Sequence, residues 1–418
     1  MEAHKSLTIG IFGFGVVGEG LYKVLHQTPS LKAQIKKVCI KHAGKKRNAP
    51  PELFTTNKDD LLFDPEINVI VEVIDDPEAA FNIVSTALNN GKAVVSASKK
   101  MIADHLVEIL ALQQKTGLPF LYEAAACASI PVIRNLEEYY DNDLLHSIKG
   151  IINGSTNFIL SKMFEDKLDF NQALMLAQQL GFAESNPVLD IEGYDAVNKW
   201  SILLNHAYGI VEHPNNILFS GIQNIQLSDA VVAKEKQVDI KLVAQAKKLK
   251  NGKVAAFVLP QFIKHDDALS FVKYQYNGVV IESGFADKQF FYGKGAGSFP
   301  TASAVLSDLS ALRYDYKYEY KKLYHHTPNE LTNDYYVKVY VSFEDWAYIP
   351  REKFEWIEEW HAQAERKYLV GVIHVSELIQ NSWWKENRTS LVLATEPIIE
   401  DFEIIQLKKR SLELAGIV

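Results

Sequence analysis

The densest group of proton-carrying side chains lies in residues 180–199, LGFAESNPVLDIEGYDAVNK, where Glu184, Asp190, Glu192, Asp195 and Lys199 fall within sixteen positions. Pro187 and Gly193 interrupt regular structure, so a helix is expected from Tyr194, with Asp195 and Lys199 four apart on one face. Alone, that spacing describes an ordinary surface ion pair. An amine whose pKa is lowered by burial or by a nearby cation can instead take the proton of an alcohol as hydride leaves the carbon, and return it in the reverse direction. Lys99 is a second such amine, in Ser96-Ala97-Ser98-Lys99-Lys100 at the carboxyl end of an expected parallel strand, where open α/β sheets bind ligands. The plainer reading leaves Lys99 and Lys100 solvated after the strand. Two lysines and several carboxylates facing one cleft would recognise a zwitterionic small molecule.

A hydride step needs a carrier. Gly13-Phe14-Gly15-Val16-Val17-Gly18 fits G-x-G-x-x-G between a strand and a helix. The first Gly permits the turn, the second lets a pyrophosphate approach the backbone, and the third lets helix and strand pack closely. The N–H groups of Val16, Val17 and their neighbours then face the phosphates. The acidic residue that would hold an adenosine 2'-hydroxyl after the second strand is missing; Lys41-His42-Ala43-Gly44-Lys45-Lys46-Arg47 stands there. Lys41 and its neighbours suit the extra phosphate of NADP, or form a solvated basic loop, so NADP or NAD remains the cofactor expectation.

The elements that must position these groups alternate. Strands are expected at Leu7–Phe12, 35–41, 68–74, 93–96 and 119–123, and helices from Val17, over 77–90 and over 103–115. This is a Rossmann-type parallel sheet covered on both faces, an α/β class domain over 1–130 completed by about 300–325. Residues 131–305 read as an α+β catalytic and dimerisation domain, helical over 153–207 and strand-rich over 253–292. Residues 335–418 read as a small ferredoxin-like domain with aromatic strands around one helix, KFEWIEEWHAQ (353–363).

The chain has 418 residues and a net charge of -8, which argues against a nucleic-acid role. No apolar run is long enough for a membrane span, and the amino-terminal stretch MEAHKSLTIG lacks the features of a secretory signal. Cys39 and Cys127 are too few for a disulfide framework, and the expected compartment is the cytoplasm. The histidines show no metal-ligand spacing, and His206 reads as structural.

Six ordered blocks resemble the homoserine dehydrogenase family over roughly residues 7–310: GFGVVG (13–18), VVSASKKMIA (94–103), YEAAACASIPVI (122–133), GIINGSTNFIL (150–160), residues 180–199 and GKGAGSFPTASAVLSDL (293–309). The resemblance implies interconversion of L-homoserine and L-aspartate 4-semialdehyde in threonine and methionine synthesis. It implies Lys199 as proton donor and acceptor with Asp195 beside it. Glu184 and Asp190 would hold the substrate's ends, Gly154 and Ser155 would line its pocket, and Lys99 would lie between nicotinamide and substrate. Gly297 would approach the cofactor. A monovalent cation, usually sodium, would be held by Glu123 and by Ala126, Ala128 and Ile130. The family implies a homodimer or homotetramer. Asp75-Asp76 replaces the family's usual Gly-Gly, which sets carboxylates near an anionic cofactor; Ala128-Ser129 replaces a glycine pair, and Ser155 a threonine. An ACT-like regulatory tail, as in some members, is expected at 335–418, although Pro-Gly before its first helix is absent. Two other readings stand beside this one: another amino-acid dehydrogenase on the same nucleotide fold, and a non-catalytic amino-acid sensor.

Overall fold

Six strands form a sheet through parallel pairs in the order β3-β2-β1-β4-β5-β6: β1 (Leu7–Phe12), β2 (Ala33–Cys39), β3 (Phe54–Thr55), β4 (Val69–Glu72), β5 (Ala93–Ser96) and β6 (Phe120–Leu121). This is the doubly wound order, and it reverses direction between β1 and β4, where such sheets bind nucleotides. β1, β4 and β5 are apolar runs buried on both faces, as helices on both sides require. The chain is described here by a computed structural model covering residues 5–142, 144–327, 329–363 and 366–400.

Ten strands form the second sheet: β7 (Leu145–Ile151), β8 (Leu218–Phe219), β9 (Val238–Lys248), β10 (Val254–Lys264), β11 (Tyr276–Ser283), β12 (Asp287–Lys294), β13 (Tyr336–Phe343), β14 (Phe354–Gln363), β15 (Arg366–His374) and β16 (Thr389–Ile399). Their order is β12-β11-β7-β9-β10-β16-β13-β15-β14, with β8 beside β10. Helices Gly154–Glu165 and Phe170–Gln179 follow β7, as the helical stretch predicts. Two compact units result. One holds residues 1–143, 198–214 and 291–328; the other holds 144–197, 215–290 and 329–418, so the division falls within helix Tyr194–Tyr208.

In the tail the expected helix at 353–363 is absent. Residues 354–363 are β14, paired antiparallel with β15 along its length. Register shifts at Phe354/Trp356 and Ile357/Glu359 break the two-residue alternation, so Phe354, Ile357 and Trp360 show a helix-like spacing in an extended segment. The tail strands run β16-β13-β15-β14 with every neighbouring pair antiparallel, and β16 meets β10 at Gln261 and Leu393. Trp356 and Trp384 are buried and Trp360 is exposed. Residues 401–418 of the expected regulatory domain lie outside the described residues.

Candidate functional site

The nucleotide half starts at the turn after β1. Gly13 has φ +100°, and an added Cβ would sit 2.6 Å from the Val73 carbonyl oxygen; at Gly18 it would sit 2.3 Å from the Gly13 carbonyl oxygen. Both glycines are therefore closed in by backbone. Gly15 is different: nothing lies within 4 Å of the position its Cβ would take. It is the N-cap of helix Val16–Gln27 and supplies no side chain to the first-turn N–H groups. Gly297, φ +115°, likewise caps helix Ser298–Leu312 without a side chain. The two helix starts touch, since the Ser298 hydroxyl donates to the Val16 carbonyl at 2.8 Å and a Cβ on Gly20 would meet that hydroxyl at 2.5 Å. Open space before Gly15, flanked by two uncapped helix starts, fits a dinucleotide pyrophosphate.

The basic loop after β2 borders a cavity of about 640 Å³ with Phe54 and Thr55. Lys41 is exposed but does not line that cavity, whereas Lys45, Lys46 and Arg47 do; Arg47 lies over the Phe54 ring and donates to the carbonyls of His42 and Lys45, at 2.7 Å each. Asp76 has a structural use, accepting the Ala79 N–H at 3.1 Å as N-cap of helix Pro77–Asn89.

Lys99 begins helix Lys99–Asp104 just beyond β5 and is half-buried. The turn that carries it hangs on Glu72, a residue not singled out by sequence. Glu72 ends β4, is fully buried, and accepts from the Ser96 hydroxyl at 2.6 Å, the Ser98 hydroxyl at 2.8 Å and the Ile74 N–H at 2.7 Å. Burial raises its pKa against those hydrogen bonds. Its sequence signal was a carboxylate within an otherwise apolar strand.

Glu123 is buried, and its two carboxylate oxygens accept the N–H groups of Ile133 (2.8 Å) and Arg134 (2.9 Å) at the start of helix Val132–Glu138. Burial pushes it up to about 7. The Ala126–Ile130 turn beside it carries Ala128 at φ +46°, a conformation that glycine takes without cost, and the Ile130 carbonyl accepts from Val132 N–H at 2.9 Å. A buried carboxylate next to a carbonyl-bearing turn has the donor chemistry of a hard monovalent cation. Cys127 is buried, a small side chain packed inside the protein. His206 is buried between Glu137 (2.5 Å) and Tyr122 (2.9 Å), as a structural histidine should be.

The substrate half gathers on Asn153, also missed by sequence. Its Nδ2 donates to Asp190 at 2.7 Å and to Asp195 at 2.8 Å, and its Oδ1 accepts the Thr156 N–H at 2.8 Å as N-cap of helix Gly154–Glu165. Gly154 lets this helix approach the chain closely, since a Cβ there would meet the Gln275 carbonyl at 2.8 Å. The Ser155 hydroxyl donates to the Phe182 carbonyl at 2.7 Å, closing the turn before Glu184, which is itself exposed. Gly193, φ +89°, breaks the chain between short helix Val188–Ile191 and helix Tyr194–Tyr208, as predicted. Asp195 and Lys199 stand one turn apart on the latter, each 7% exposed, so this is not a solvated surface pair.

Two family models match the chain, meeting between residues 123 and 131. The family described as "Homoserine dehydrogenase, NAD binding domain" matches residues 13–123, and "Homoserine dehydrogenase" matches residues 131–310. The chain is 35% identical over 317 residues to the homoserine dehydrogenase of Bacillus subtilis, covering 74% of this chain and 73% of that one. It is 36% identical over 314 residues to that of Synechocystis, covering 73% and 72%. The crystal structure of a homoserine dehydrogenase from Thiobacillus denitrificans superposes with a TM-score of 0.80 at 27% identity, covering 93% of this chain and 98% of that one. A hyperthermophilic archaeal homoserine dehydrogenase in complex with NADPH gives 0.64 at 27% identity, covering 75% and 99%.

Proposed function

The chain belongs to the homoserine dehydrogenase family, and from that premise we propose that Lys199 passes the proton while L-homoserine and L-aspartate 4-semialdehyde interconvert. The observation that carries the residue assignment is the buried Lys199 one turn beyond Asp195, itself tied through Asn153 to Asp190. The chain is an NAD(P)-dependent oxidoreductase. Bound NAD(P) supplies the hydride acceptor or donor. Gly13, Gly15, Val16, Val17, Gly18 and Gly297 would hold its pyrophosphate, and Lys41 with the basic loop would meet the adenosine end.

Lys199 takes the hydroxyl proton of homoserine, Asp195 orients the reacting group, and Asp190 with Glu184 binds the substrate's polar ends. Gly154 and Ser155 shape the floor, Ser155 through its carbonyl partner. Lys99 would lie between nicotinamide and substrate. Glu123 with the carbonyls of Ala126, Ala128 and Ile130 would hold a sodium ion, which would offset the buried charge. The tail is ACT-like: its strand order and alternating directions support this, with two short 3-10 turns, Trp346–Tyr348 and Arg351–Lys353, where a first helix would stand. The enzyme works as a homodimer or homotetramer, which the exposed Phe290 and Tyr292 of edge strand β12 favour. Among the described residues no helix is long and apolar enough to cross a membrane.

The test is absorbance of the reduced nicotinamide with homoserine and either NAD or NADP, with and without sodium. Lys199→Ala is expected to leave cofactor affinity intact while turnover falls by roughly 10²-fold or more. Unchanged turnover removes Lys199 from the reaction.

A further inference from the structure

We infer that Asn153 is a positioning residue whose amide hydrogens set Asp190 and Asp195 in a single geometry, apart from its service as a helix cap. The inference rests on the reading of Lys199 and Asp195 as the reaction site. Asn153 is 3% exposed, so its amide must be satisfied within the protein. An asparagine side chain offers two N–H donors and one carbonyl acceptor. Here one donor serves Asp190, one serves Asp195, and the carbonyl takes the Thr156 N–H.

The two carboxylates lie on opposite sides of the Gly193 turn, which is itself pinned: the Ile222 N–H donates to the Ile191 carbonyl at 2.7 Å, and a Cβ on Gly193 would meet the Ser220 carbonyl at 3.0 Å. Backbone contacts thus set the turn, and the Asn153 amide acts on the carboxylates themselves. Two like charges within reach of one amide repel each other, and charge-assisted hydrogen bonds from that amide oppose the repulsion. Without the donors the two carboxylates lose the amide that links them, and Asp195 loses part of what fixes the orientation it presents one turn before Lys199. A displacement near 1 Å at a reacting centre costs about 10²-fold in rate.

Asn153→Ser keeps a capping oxygen and replaces the two amide donors with one shorter hydroxyl, which cannot donate to both carboxylates; Asn153→Asp keeps the cap and the size but adds a third carboxylate. Both are compared with Asp169→Ser, a cap change on helix Phe170–Gln179. Measured are the thermal midpoint, NADPH affinity by fluorescence, and kcat and KM for homoserine. The expected result is a near-native midpoint and NADPH affinity for Asn153→Ser with kcat/KM for homoserine down by roughly 10²-fold, a larger loss for Asn153→Asp, and no loss for Asp169→Ser. Native kcat and KM in folded Asn153→Ser overturn the inference. If that variant does not fold, Asn153→Asp decides by the same measurements. A wild-type chain that does not oxidise homoserine overturns the functional reading instead, and the inference falls with it.

Discussion

Gly15 and Gly18 sit three residues apart in one motif, yet alanine at each should fail differently. At Gly18 the new Cβ would lie 2.3 Å from the Gly13 carbonyl oxygen, about 1 Å inside ordinary contact and against backbone that has no flexible end to move. Overpacking of this kind costs about 1–3 kcal/mol, and the midpoint falls by roughly 2–4 °C per kcal/mol in a domain of 150–250 residues. At Gly15 the Cβ meets nothing within 4 Å, and φ −87° suits alanine, so the apo-protein midpoint should stay native. The methyl instead occupies the open space proposed above for a phosphate. Losing one hydrogen bond to a charged phosphate costs about 1.5–3 kcal/mol, which is roughly 10- to 150-fold in affinity. Thermal unfolding of the apo-protein and fluorescence titration with NADPH measure the two effects separately. Gly15→Ala binding NADPH with native affinity, or destabilised as much as Gly18→Ala, would refute the assignment of that space to the cofactor.

Two further outcomes follow from buried charges. Glu72→Ala strands the Ile74 N–H and the Ser96 hydroxyl and leaves the Ser98 hydroxyl only the Ile74 carbonyl, so the turn before Lys99 should loosen: kcat is expected to fall about 10-fold or more, NADPH affinity to stay native, and Glu72→Gln to restore most of the rate, as steady-state kinetics will show. Lys241, buried on β9 with its amine donating to Asn157 (3.0 Å) and the Val272 carbonyl (2.8 Å), is pushed down to about 8 by burial and by Lys273. Between about 8 and 10.5 the unfolded chain binds more protons than the folded one at this site, so its contribution to stability rises with pH across that window. Denaturant unfolding should show wild type gaining on Lys241→Met by at most about 1.4 kcal/mol per pH unit, and a difference that is flat or falls with pH contradicts the assignment.

Much of this was legible because it is local. Strand, Gly-rich turn and helix occupy adjacent residues, and each glycine's duty follows from where it stands between them, so Leu7–Phe12 was read to the residue and the helix start to within one. Helix Tyr194–Tyr208 was equally plain, since Gly193 must break the chain and the i,i+4 spacing of Asp195 and Lys199 follows from helix geometry. The aromatic tail segment was misread because its bulges erase the two-residue period on which strand recognition depends. Strand β9 was not distinguished; Lys241, Lys247 and Lys248 interrupt its apolar pattern, and the burial of Lys241 depends on acceptors elsewhere in the chain.

By itself, then, the sequence determined which chemical groups are present, the local units that carry them and the order of those units along the chain, because backbone preference and hydrophobic period act over a few residues. Only the tertiary structure decided which polar groups meet. Asn153 reaches Asp190 and Asp195 across 37 and 42 residues, and Glu72 reaches Ser96 and Ser98 across 24 and 26. Neither link has a spacing signature: a buried donor must find an acceptor, and the folded path of the chain sets which one lies within reach.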